Sequence, residues 1–180
     1  MASLNGGIIG KYNVPVDNGQ DEIITTFNSS GTLSTAAQTT SLEYLVIAGG
    51  AGTQPSCGGG GGAGGYRTAS GFSVSASTDY SITVGAGGPA NNSTEATNYG
   101  NGSNSVFSSI TSTGGGSGGT FQATQPTASA ARDGGSGGGV GGRSGHANNT
   151  GHGNGNTPST SPSQGNDGGN RGGGGANALC

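Results

Sequence analysis

The sequence predicts an all-β protein, a small N-terminal β-sandwich followed by a glycine-rich region of packed polyglycine-II helices. Three observations lead there. Between residues 23 and 113, apolar side chains recur at alternate positions in short segments, as in Phe72 and Val74 or Tyr80, Ile82 and Val84. No segment of useful length carries the spacing of an amphipathic helix. And 44 of the 180 residues are glycine, concentrated in runs at 49–65 and 114–175.

Residues 1–22 read as an N-terminal arm, with a break at Asn5-Gly6-Gly7, a small Ile8-Ile9 patch and a bend at Pro15. Residues 23–113 form the sandwich, with 49–65 as a glycine-rich insertion. Within it, Ile23 to Phe27 predicts a strand, Asn28 to Gly31 a turn, and Thr32 to Thr35 the return strand of a hairpin. Leu42 to Ala48 is the most hydrophobic stretch and is apolar on both faces, which predicts a central strand. Phe72 and Val74, then Tyr80, Ile82 and Val84, predict a second hairpin turning at Ser77 to Asp79, and 104–113 a last strand around Val106, Phe107 and Ile110.

Residues 114–180 make up the glycine-rich region. Glycine loses more backbone entropy on folding than any other residue and buries no side chain, so such runs are either flexible linkers or are held by many backbone hydrogen bonds. Single bulky or charged residues (Val140, Arg143, His146, Arg171) interrupt these runs, unlike a plain linker. The ordered alternative is an array of extended helices with three residues per turn and no internal hydrogen bonds, whose N–H and C=O groups are free to pair with neighbours. Collagen is excluded, because there is no strict period of three and only 6 Pro. Both Leu42 to Ala48 and Tyr80 to Val84 run directly into glycine, so the tracts leave the sandwich from strand ends.

A formal charge of −3, with five scattered Lys and Arg, excludes an electrostatic nucleic-acid footprint. The longest apolar run, Tyr44 to Ala48, is far too short to cross a bilayer, and the first residues lack a basic segment followed by an apolar one, so the chain is expected to be soluble and made in a cytoplasm. Cys57 and Cys180 allow one disulfide, and the sequence does not decide whether they pair.

Chemistry is mostly absent. Gly-x-Ser-x-Gly occurs at 115–119 and 134–138, but a nucleophile elbow needs a helix after the serine and none is predicted. Gly10-Lys11 lacks the rest of a phosphate-binding loop. His146 and His152, with Asp133 and Asp167, match no zinc spacing and read as surface groups. The expectation is a protein that is not an enzyme and has no metal or cofactor. Tyr12, Tyr66 and Tyr99 beside glycine suit either an adaptable binding surface or a ring packed over glycine backbone. The two non-glycine inserts of the second half, Phe121 to Arg132 and Asn156 to Ser163, are candidate binding loops, and Gln122, Gln125, Arg132, His146, His152, Thr157 and Ser159 are the candidate contact residues.

The string Glu43-Tyr44-Leu45-Val46-Ile47-Ala48-Gly49-Gly50, the glycines at 58–65, Tyr66-Arg67-Thr68 and Tyr80-Ser81-Ile82-Thr83-Val84-Gly85-Ala86-Gly87-Gly88 resemble the glycine-rich domain of bacteriophage structural proteins. Asn101 to Phe107, Ile110 to Gly115 and Gly155 to Gly165 extend the resemblance over most of the chain from about Ile23. Such proteins build tail fibres, tail tips and other virion appendages. The glycine-run half is also similar to long-tail-fibre adhesins, which stack polyglycine-II helices and present variable loops to a host receptor. The resemblance implies a virion component of tail-fibre or tail-tip adhesin type. It would be partnered by other virion proteins and a host surface polysaccharide or outer-membrane protein, without nucleic acid or membrane insertion. A capsid decoration, head-fibre or self-assembling filament subunit is the structural alternative, and a secreted ice-binding or cell-wall glycine-rich protein a third. Unpaired strand edges and a small core predict a homo-oligomer in each case, and a trimer would suit a fibre.

Overall fold

In a computed structural model of the chain, the described residues are 23–53, 58–89, 100–120, 130–141 and 151–170. They contain six strands and no helix: β1 (Gly31–Ser34), β2 (Ser41–Ile47), β3 (Tyr66–Ser73), β4 (Asp79–Thr83), β5 (Ser105–Phe107) and β6 (Ile110–Ser112). All pairings are antiparallel, in a four-stranded sheet of order β1-β4-β5-β6 and a two-stranded sheet of β2 and β3. The expected all-β architecture is therefore what forms.

The two sheets meet through aromatic rings. Phe107, 4% exposed, lies 5.3 Å from the Phe72 ring, 6.2 Å from Tyr44 and 5.9 Å from Tyr80, while Tyr44 meets Phe72 edge-on at 5.6 Å. Tilted and edge-to-face contacts at these separations add to the burial of ring area. On β2 the alternation is regular, with Leu42, Tyr44 and Val46 turned inward and Ser41, Glu43, Leu45 and Ile47 outward. β3 holds the same parity only by way of a bulge, because Ser70 and Gly71 together oppose Glu43. Gly71 has φ +68°, which glycine adopts without a Cβ penalty, and the extra residue returns Phe72 to the inner face.

Several local expectations are corrected. Residues 23–27 form no strand, and Ile23 and Ile24 are 86% and 83% exposed; β1 pairs with β4 instead. β2 is not central: it pairs with β3, and its second apolar face looks outward. β3 and β4 are not a hairpin, since the turn at Ala76 and Ser77 carries the chain from one sheet to the other. Phe72 and Tyr80 both face inward and so sit across the core rather than side by side. The expected last strand is two, β5 and β6, joined at Ser108 and Ser109 with φ +51° at Ser108. The end of the sandwich remote from the glycine tracts is closed by Thr35, whose amide donates to the Thr78 carbonyl and whose hydroxyl accepts from the Thr78 amide at 2.9 Å.

From the opposite end the tracts run out as a bundle. The tract at 113–120 lies at its centre, with every residue from Gly114 to Thr120 buried. Gly65, Gly62 and Gly59 donate to the carbonyls of Thr113, Gly116 and Gly119 at 2.7, 2.8 and 2.8 Å, so each step of three residues meets the same neighbour again. The spacing recurs across other pairs: Ala48 and Ala51 donate to Gly65 and Gly62, Gly49 and Gly52 to Ser103 and Gly100, Gly137 and Val140 to Asn166 and Gly169. Three residues per turn with only lateral hydrogen bonds is the geometry of polyproline-II-type helices, here built from glycine.

Glycine is required by distance. A Cβ on Gly49, Gly62, Gly115, Gly116, Gly118 or Gly138 would fall closer than 3.0 Å to a carbonyl of an adjacent tract. Side chains occupy the outward positions instead, as with Ala63, Ala86, Asn101, Ser103, Asp133, Asn154 and Asn166, all exposed. Ser117 and Thr120 depart from this: both are buried and neither hydroxyl has a hydrogen-bond partner.

Candidate functional site

The hydrogen-bond register places the two ends of the bundle. Residues 48, 65, 103 and 113 adjoin the sandwich, and numbering along each tract then leads away from it or back toward it. Gly52 and Gly100 are bonded to one another, as are Gly119 and Gly139, Gly59 and Gly119, and Val140 and Gly169. The described ends at Thr53 and Gly58, Thr120, Gly141 and Asn170 therefore lie toward the end of the bundle farthest from the sandwich. That end is one candidate surface.

Of the residues singled out in the sequence, Gln122, Gln125 and His146 lie outside the described residues, as do Cys57 and Cys180. Arg132 and His152 are close together. The Arg132 amide donates to Ser117, its carbonyl accepts from Gly138, and the same carbonyl packs against Gly153, next to His152. Arg132 is exposed and His152 partly buried, and the Nδ1 of His152 has no hydrogen-bond partner. The neighbouring carboxylates are engaged with backbone: Asp133 accepts from the Asn154 amide at 2.6 Å and Asp167 from the Gly155 amide at 2.8 Å. Among the described residues no three His, Cys, Asp or Glu side chains are grouped as metal ligands.

Thr157 and Ser159 are elsewhere. The tract at 151–156 returns toward the sandwich, since Gly153 bonds to Gly138 and Asn156 to Gly135. Residues 156–164 therefore form a loop at the sandwich end. Two residues fix it. Asn156, at φ +49°, accepts at Oδ1 from the Thr160 amide (3.0 Å), the Thr160 hydroxyl (2.8 Å) and the Gln164 amide (3.2 Å), and its Nδ2 donates to the Thr160 carbonyl at 3.1 Å. A side chain that satisfies several backbone groups this way replaces the ladder the loop lacks.

Gln164, 2% exposed, ties the loop to the rest of the molecule. Its Nε2 donates to the Pro158 carbonyl at 2.9 Å, its Oε1 accepts the Thr113 amide at 2.8 Å, and its own carbonyl accepts the Tyr66 amide at 2.8 Å. Pro158, Ser159, Ser161, Pro162 and Ser163 are left exposed on a held backbone. Peptide bonds Thr157–Pro158 and Ser161–Pro162 are cis. Sequence reasoning named Thr157 and Ser159 but missed Asn156 and Gln164. The available signal was an Asn opening a Pro/Ser/Thr segment, a common turn arrangement.

Beside this loop, the outer face of β2 and β3 shows Leu45, Ile47 and Tyr66, which are 55%, 54% and 54% exposed. The sequence signal for this face was present in the two-sided apolar character of 42–48, and it pointed to a central strand instead. Among the described residues three surfaces stand out: the far end of the bundle, the held loop, and an apolar sheet face.

No curated protein and no solved structure matches the chain. The family described as a glycine-rich domain matches residues 25–179, from the segment before β1 through the whole bundle. The matched span takes in all six strands and the described glycine tracts, and this chain belongs to the glycine-rich domain family.

Proposed function

We propose that this chain is a structural component of a phage virion, of the tail-fibre or tail-tip adhesin type, in which the bundle holds surface segments out toward a host envelope. The gathering of described tract ends at the far end of the bundle carries this reading. Segments that join rigid elements at one end are where binding surfaces concentrate, because the scaffold beneath them does not change when they do. The partners would be other virion proteins at the sandwich end and a host surface polysaccharide or outer-membrane protein at the other.

The experiment is to image particles carrying this chain by cryo-electron microscopy and to measure binding of the purified chain to host cells. Density at the tip of a tail appendage, bundle outward, with saturable binding supports the proposal. Density on the capsid lattice, or no binding, overturns the adhesin role in favour of a decoration or filament subunit. The exposed apolar sheet face is the observation that favours this second reading.

A further inference from the structure

The outer face of the β2–β3 sheet is built like its inner face. Inward, Leu42, Tyr44 and Val46 alternate along β2 with Phe72 across on β3; outward, Leu45 and Ile47 alternate along β2 with Tyr66 opposite Ile47. The inner set is covered by the four-stranded sheet. The outer set is half exposed, at 55%, 54% and 54%. Polar groups frame it, with Ser41 and Glu43 along β2 and Thr68 opposite Leu45.

We propose that this face is a self-association surface, on which a second copy of the chain stacks its own β2–β3 sheet face to face. Alternate apolar residues on two adjacent strands present the relief that another sheet fills, and sheets pack this way at about 10 Å separation. A second copy supplies that relief with the same three side chains, so the interface is closed and two-fold. Glu43 fixes the orientation. Antiparallel stacking separates the two Glu43 carboxylates, whereas parallel stacking sets like charges against each other.

The area places the contact in a size class. Three half-exposed side chains make a patch of roughly 300 Å², the lower end of what a monomer's largest apolar patch covers. With the polar frame, two copies bury on the order of 1,000 Å² in total, the low end for a specific interface. The association is therefore reversible, in the micromolar range or weaker. The monomer has reason to form it: the only hydrophobic residues buried among those described are Ala48, Val74, Phe107 and Ala131, a small core of the kind that oligomerisation commonly supplements. This inference stands apart from the adhesin proposal, because the face lies at the sandwich end and its occupant is the chain itself.

The test is sedimentation velocity on the full chain over roughly 1 to 200 µM, the span in which weak interfaces fill. Four proteins are compared: native, Leu45→Thr/Ile47→Thr, Ile24→Thr as a control at another exposed apolar site, and a chain lacking residues 1–22. Threonine keeps strand propensity at exposed positions, so the double variant is expected to melt at the native temperature at low concentration. The expected result is a concentration-dependent dimer for the native and control proteins and a monomer throughout for the double variant. A native chain that stays monomeric overturns the proposal, as does a double variant that dimerises like the native. If only a chain lacking residues 1–22 dimerises, that segment is the occupant and the second-copy proposal falls.

Discussion

The amide of Gly62 donates to the carbonyl of Gly116 at 2.8 Å, while the space a Cβ on Gly62 would need is filled by the carbonyl of Ser136. One residue thus joins three tracts, and only a hydrogen fits between them. Gly62→Ala is expected to cost about 1–3 kcal/mol or more, the usual result of overpacking a filled interior. At Gly60 a Cβ would meet nothing within 4 Å, and Gly60→Ala should be neutral or stabilising by up to about 1 kcal/mol through the unfolded chain. Urea unfolding midpoints of the pair check this, and equal effects would show that glycine is not required by distance.

Phe107 is the ring on which the two sheets meet. It is 4% exposed and touches Phe72, Tyr44 and Tyr80. Phe107→Ala should destabilise by about 3–5 kcal/mol, since a cavity that size in so thin a core has few neighbours able to fill it. Thermal melting with near-ultraviolet circular dichroism would report both the lost stability and the changed tyrosine surroundings.

Asn156 and Gln164 hold the exposed loop from opposite ends. Gln164→Ala leaves the Thr113 amide without its acceptor where the bundle meets the sandwich, at a cost of about 1–3 kcal/mol. Asn156→Gly keeps the positive φ but removes the acceptor shared by Thr160 and Gln164, so amide exchange should accelerate at those two residues and hardly at all in β4. Exchange that rises equally everywhere would mean that the loop is not a separately held unit.

Ser117 gives the opposite sign. Its hydroxyl is buried at the bundle centre with no partner. Ser117→Ala removes an unsatisfied polar atom at nearly constant shape, and is expected to leave stability unchanged or raise it by up to about 1–3 kcal/mol. A clear loss in the urea midpoint would show that the hydroxyl has a partner after all.

How far the sequence could be read depended on whether a feature is local. Alternation identified the inward residues Phe72, Val74, Tyr80 and Ile82, because which face a side chain takes is decided within its own strand. Pairing was not legible. Nothing local tells Phe72 and Tyr80 whether to sit side by side or across a core, and the short link between β3 and β4 favoured the wrong choice. Ile23 to Phe27 has strand composition but forms no strand. The bundle was legible as a kind of packing, from glycine runs broken by single larger residues such as Val140. Its neighbours were not, because glycine has no side chain to mark which tract it meets. Of the candidate contacts, Arg132 and His152 come together on adjacent tracts, whereas Thr157 and Ser159 were drawn away to the sandwich end by a reversal in direction that no residue announces.

The lateral hydrogen bonds also set how the body bears force. A pull on the outer end, directed along the tracts away from the sandwich, loads the three bonds from Gly59, Gly62 and Gly65 together rather than one after another. The central tract is anchored in the same way on several sides at once, so it has no edge from which to peel. A rod only a few tracts wide can then resist shear along its axis, a mechanical property written in the step of three residues.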